Sequence, residues 1–264
     1  MINKLLYLLP QRNRFERIWK LAQVDFKKIY YNNKLGLLWA FLNPLLRLTI
    51  YYFAFTLLME RVREGIDNFA LFLFSALIFW MEFTRTLKKG MKVLDQKRHL
   101  IENIKINKID LFISLGISSG LAFIFNISAY IIIALIFKTS FSTTIFLLPI
   151  LILNLYLITI GFSMILSVLY LAFRDIVHLV DIFVLFGFWT SGVIFPTETV
   201  LEKFPAFYYA NPFMGMFTNV RAILVYNTEI NYTILNINLL FGICLYVLGF
   251  YILTKYSQKV FEYL

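Results

Sequence analysis

The densest patch of side chains able to do chemistry is the stretch Arg174-Asp175-Ile-Val-His178-Leu-Val-Asp181. A base, a histidine and two carboxylates at three- and four-residue spacings could share a helix face and move a proton, as a membrane-edge transferase would require. The same spacing also suits a helix start whose charges satisfy one another. Elsewhere the ingredients are sparse. Glu82 stands near the end of an apolar run, three residues before Arg85, and the two histidines, His99 and His178, lack a nearby Cys or carboxylate cluster at metal-ligand spacing. The single cysteine, Cys244, excludes an internal disulfide framework and a CxxC metal or redox site. No GxxxxGK[ST] loop occurs, so the chain does not cradle a nucleotide by that route. Catalysis is poorly supported, with a lipid-phosphate-sugar transferase as the enzymatic alternative.

A second feature concerns a charge placed in oil. The stretch NNKLGLLWAFLNPLLRLTIYYFAF, Asn32 to Phe55, is apolar enough to cross a bilayer, yet Asn43, Pro44 and Arg47 lie within it. A lipid-facing Arg at the centre of a span costs about 2.5–3.5 kcal/mol on insertion scales. Helical spacing stacks Trp39, Asn43, Arg47 and Tyr51 on one face as a polar-aromatic stripe. Pro44 removes the amide that would bond Ala40, leaving that carbonyl free for water or a hydroxyl. Arg47 could instead pair with Glu82 or snorkel toward an interface.

The elements that must position these residues follow from composition. Of 264 residues 60% are hydrophobic and 15% charged, where a soluble domain carries about 25% charged residues. This excess implies one polytopic, all-α membrane domain over 1–264. The net charge of +10 resides beside apolar runs, which suits anionic lipid and topology control rather than nucleic acid. Residues 14–33 read as an amphipathic interfacial helix. Six spans are expected near 36–58, 68–87, 109–137, 144–172, 176–195 and 233–254. The apolar stretch near the N-terminus precedes its bases, so no cleaved signal peptide is expected. Bases concentrate before the first span and between Arg85 and Lys108, which places both termini inside. Gly116 and Gly120 form a small-xxx-small face, expected to pack within the chain. The segment 196–232 is Pro-punctuated and aromatic, too polar to span.

Three stretches carry a resemblance. YYNNKLGLLWAFLNPLL, LAFRDIVHLVDIFVLFGFWTSGVIFP and YYANPFMGMFTNVRAIL resemble, in order, the first span, the Arg-Asp turn with its aromatic span, and the external segment of ABC-2-type exporter permeases of the O-antigen and teichoic-acid group. Ser191-Gly192 stands where relatives commonly have Ser-Pro, and Ile106-Asn107-Lys108 where many have an aromatic-Pro pair. The resemblance implies a permease half in the bacterial cytoplasmic (inner) membrane. It would form a homodimer, driven by two copies of a separate ATP-binding cassette ATPase and exporting a lipid-linked polysaccharide. It implies no cofactor in this chain, with ATP on the partner. A drug or lipid exporter is the alternative within the same class.

Roles follow for named residues. A sugar ring needs flat aromatic walls with a few polar points, so Trp39, Asn43, Arg47 and Tyr51 with Phe188, Trp189 and Phe195 are expected along a conduit. Phe204, Phe207, Tyr208, Tyr209 and Phe213 are expected on two short helices that dip back into the membrane as an external gate. Leu100, Ile101 and Ile104, within Lys92 to Lys105, and the Arg174-Asp175 turn are expected to meet the ATPase.

Overall fold

The computed structural model describes residues 14–30, 34–58, 68–104, 106–139 and 141–262. Of the bases before the first span and between Arg85 and Lys108, Lys4, Arg12 and Lys105 lie outside them. Among the described residues every regular element is helical. In chain order they are α1 (Arg14–Tyr30), α2 (Leu38–Leu58), α3 (Phe69–Met91), α4 (Val93–Gln96), α5 (Arg98–Ile104), α6 (Lys108–Ile136), a 3-10 turn (Thr143–Leu147), α7 (Leu148–Ala172), α8 (Ile176–Thr190), α9 (Glu198–Lys203), α10 (Pro205–Ala210), α11 (Pro212–Arg221), a π turn (Ala222–Tyr226) and α12 (Tyr232–Glu262). Five stretches, in α2, α3, α6, α7 with its 3-10 turn, and α12, are long and apolar enough to cross a membrane. The protein is multi-pass.

The expected fifth span, 176–195, ends early. α8 has 15 residues, about 22 Å at 1.5 Å per residue. Gly192 stops it: its φ of +78° is left-handed, and an added Cβ would lie 2.4 Å from Thr197 Cγ2. The segment 196–232 holds three short helices, where two were expected. An Asn starts each of three helices by accepting a backbone N–H on its side chain: Asn68 for α3, Asn107 for α6 and Asn211 for α11. Pro212 follows Asn211 at the first helical position, where its missing N–H costs nothing. Asn43-Pro44 is the same dipeptide inside a helix.

α3 is the axis of the core. Its residues Leu71 to Phe79 are all buried, surrounded by Phe123 and Tyr130 of α6, Leu151 and Leu155 of α7, and Phe217 and Val220 of α11. α7 and α12 meet backbone to backbone: a Cβ on Gly249 would lie 2.5 Å from the Gly161 carbonyl oxygen, and one on Gly161 2.8 Å from the Leu245 carbonyl carbon. The Gly116/Gly120 face packs within the chain, but at ordinary distance, 3.9 Å from Ile160 and from Tyr156. The tight glycine contact therefore belongs to a different helix pair.

α1 divides its apolar face. Ile18, Leu21 and Ala22 are buried, and Phe26 stacks on Phe125 of α6, whereas Phe15 is exposed. Two ion-pair sites hold its ends. Asp110, fully buried in the first turn of α6, receives Arg14 at 2.7 Å and Arg17 at 3.1 Å. Asp25 pairs with Lys97 between α4 and α5.

Candidate functional site

A groove of about 950 Å³ runs between α2, α3 and α8. Four residues of α2 spaced by four, Trp39, Asn43, Arg47 and Tyr51, line it, so the stripe read from the sequence faces one open space. Pro44 also lines it, one turn beyond Ala40, whose amide partner it removes. From α3 come Trp80, Met81, Thr84, Arg85 and Lys88, again at helical spacing; Asn126 comes from α6, and Asp181, Val184 and Phe188 from α8. Tyr51 and Phe188 meet across it with ring centroids 5.2 Å apart. Trp80 approaches α8 at Gly187, where a Cβ would lie 2.6 Å from the indole ring. Any larger residue there would push the two walls apart.

The charges are arranged asymmetrically. Glu82 is buried, and it accepts from Arg85, from Thr86 Oγ1 at 2.9 Å and from Tyr156 Oη at 2.8 Å. Three donors satisfy its carboxylate, so Glu82 is neither a free acid nor the partner of Arg47. Lys88 reaches Asp181 at 2.6 Å. Arg47 is exposed to the groove and forms no ion pair among the described residues. Flat rings, an amide and cations can bind a polar, anionic or sugar-like ligand. Among the described residues no three His, Cys, Asp or Glu converge as a metal site.

The Arg174–Asp181 patch is drawn apart. Arg174 points to Asp95 of α4 at 3.8 Å, and Asp181 points to Lys88. The charges are satisfied across elements and not within one helix start, so no acid–base set assembles there. Trp189 and Phe195 lie off the groove. Trp189 is exposed beside Phe55, and Phe195 packs near Tyr208 and Met214.

The expected gate residues also divide. Phe213 packs on Trp80 at 5.0 Å and on Phe83 at 4.5 Å, and the Tyr208 hydroxyl is 2.8 Å from Thr218 Oγ1, both rings buried. Phe204, Phe207 and Tyr209 are exposed. In the cytoplasmic-loop candidate, Leu100 is buried beside Leu21, Val93, Leu94 and Phe112, so it is not a free anchor. Ile101 is half-buried; Ile104, Arg174 and Asp175 are exposed.

Sequence reasoning missed two sets of residues. Trp80, Thr84, Arg85 and Lys88 repeat at i, i+4, i+5 and i+8, one face of α3, yet Arg85 and Lys88 had served only as orientation signals. Arg221 belonged to a loose motif. It is fully buried, 3.5 Å above the Phe72 ring centroid, and donates to the carbonyls of Val193 at 2.8 Å and Phe195 at 3.3 Å.

This helical set of spans with a lined groove defines a membrane transport domain, and the family model for ABC-2 type transporters matches residues 16–225. The chain belongs to the ABC-2 type transporter family. It is similar to two O-antigen export system permease proteins RfbA of Klebsiella pneumoniae. One is 27% identical over 251 residues and the other 28% over 253, each match covering 95% of both chains. The O-antigen export system permease protein RfbA of Myxococcus xanthus is 25% identical over 205 residues, covering 77% of this chain and 78% of that one.

Proposed function

We propose that this chain is the permease half of an ATP-driven exporter that moves a lipid-linked, O-antigen-like polysaccharide across the bacterial cytoplasmic membrane. The observation that carries the reading is the groove itself. Its aromatic walls suit the C–H faces of sugar rings, and its cations suit a phosphate on a lipid anchor. The likeness to RfbA permeases over most of the chain supports the same cargo. Two copies of this chain enclose the path, and α2 and α8 are the walls that face the second copy. ATP binds to a separate ATP-binding cassette ATPase, two copies per exporter, which meets Ile101, Ile104 and the Arg174-Asp175 turn.

Six passes with both ends inside follow if α8 and the residues after it cross together. α8 alone is shorter than the roughly 30 Å hydrocarbon core. Ser191, Val193 and Ile194 continue it as buried, non-helical chain, and such backbone is tolerated at membrane depth only inside protein. Arg221 satisfies the carbonyls exposed there. The three short helices α9 to α11 then turn back at the outer face, with Phe204, Phe207 and Tyr209 available to the emerging polymer.

Deleting the chain tests the reading. Polymer should accumulate on its lipid carrier inside the cell and vanish from the surface, with synthesis intact. Polymer at the surface at normal level would refute it. Polymer synthesis that is lost, and restored by this chain without any ATPase, would instead mark the transferase.

A further inference from the structure

Lys88 and Asp181 stand where α3 ends and α8 begins. Their 2.6 Å pair is the one salt bridge between these helices among the described residues, and the side chains are 43% and 49% exposed. So wet a pair holds its partners weakly. Both residues line the groove, beside Arg47 and Arg85. Arg85 is committed to buried Glu82, and Arg47 has no carboxylate among the described residues. Three cations thus face two carboxylates, and one positive charge is left over.

α8 is lightly held. Its outer residues Leu179, Ile182 and Phe186 are all more than 60% exposed. On its inner side it rests on Trp80 through Gly187 and on Tyr51 through Phe188. A ligand that removed Asp181 from Lys88 would free the charged edge of α8, while buried Val180 and Val184, Phe183 on Phe162 and the Trp80–Gly187 contact keep the helix on the core.

We propose that Lys88–Asp181 is a latch opened by a phosphate group, an inference that rests on the export of a lipid-linked cargo. A diphosphate carries more charge than one carboxylate and accepts more hydrogen bonds, so it takes the place of Asp181 on Lys88. Arg47, on the opposite wall, is the next cation along its course. The carboxylate of Asp181 is the stand-in that closes the groove between cargo molecules. The two latch residues therefore act in opposite directions: Lys88 binds the phosphate and Asp181 competes with it.

The test is binding to the full chain in phosphatidylcholine nanodiscs, read by tryptophan fluorescence, since Trp39 and Trp80 line the groove. The probes are a polyprenyl diphosphate, the matching polyprenol without phosphate, and inorganic diphosphate. Asp181→Asn should tighten the polyprenyl diphosphate by about two- to fivefold, and Lys88→Gln should weaken it by roughly tenfold. The polyprenol should bind weakly and alike to all three proteins. An ion pair that merely holds the fold would shift both variants the same way, and that result, or equal binding of polyprenol and polyprenyl diphosphate, overturns the latch. If inorganic diphosphate alone reproduces the opposed shifts, the latch stands and its phosphate is a soluble one. Failure here with export still lost on deletion removes the latch alone; normal export on deletion removes the functional reading beneath it.

Discussion

The guanidinium of Arg221 lies 3.5 Å over the ring of Phe72 and donates to the carbonyls of Val193 and Phe195. It ties the unwound stretch after α8 to the core helix α3, with no ion-paired carboxylate among the described residues. Replacing it by Leu leaves the buried Val193 carbonyl unsatisfied, at about 1–3 kcal/mol. Arg221→Leu should therefore lower the thermal midpoint in detergent by roughly 2–12 °C. Arg221→Lys should recover only part of this, because a point charge cannot reproduce a planar fork. An unchanged midpoint for the Leu variant would show that the clamp does not hold the stretch.

Arg47 offers the reverse case. It bears no ion pair among the described residues, so Arg47→Leu should insert, dimerise and unfold as the wild type does. Export should nevertheless fall severalfold, measured as polymer at the cell surface. Full export by this variant would take Arg47 out of the path.

Helix α5 separates two residues one turn apart. Leu100 is 3% exposed and Ile104 37%. Leu100→Asp buries a charge and should reduce the folded yield, an effect on stability alone. Ile104→Asp should keep the yield while lowering the ATP hydrolysis that the ATPase gains from this chain. Equal folded yields for the two would argue against the packing around Leu100.

The glycines divide likewise. Gly249→Ala should cost several degrees of thermal midpoint because its Cβ meets backbone, which cannot swing aside. Gly116→Ala should be close to neutral, since its Cβ finds only ordinary contact at 3.9 Å. Similar midpoints for both would mean that α7 and α12 stand further apart.

Topology has a direct check. A cysteine at Phe204 should react with an impermeant thiol reagent added from outside, and one at Lys97 only after the membrane is opened. The reversed pattern would invert the whole assignment.

Much of this architecture was readable from the sequence because lipid imposes a simple rule: long apolar runs become long helices. The α2 stripe was readable for the same reason, since a four-residue spacing fixes which side chains share a face. What remained hidden depends on contact between distant segments. Nothing near Lys88 or Asp181 says that they meet, and Leu100 looks like a surface anchor until Leu21 and Phe112 cover it. The early end of α8 was less obscure. Gly192 stood in the sequence, but its left-handed φ and its closeness to Thr197 are visible only in the fold. Phe195 was expected along the conduit as though the helix ran on, whereas Trp189, still within α8, is turned away from the groove beside Phe188.

The ion pairs of α1 carry a mechanical consequence. Arg14 and Arg17 grip the base of α6 through Asp110, and Asp25, about 16 Å further along the helix, grips the link between α4 and α5 through Lys97. A rod fastened at both ends does not float on the headgroups. It is a strut: a push on Lys97 would travel along it as compression and arrive at the foot of α6.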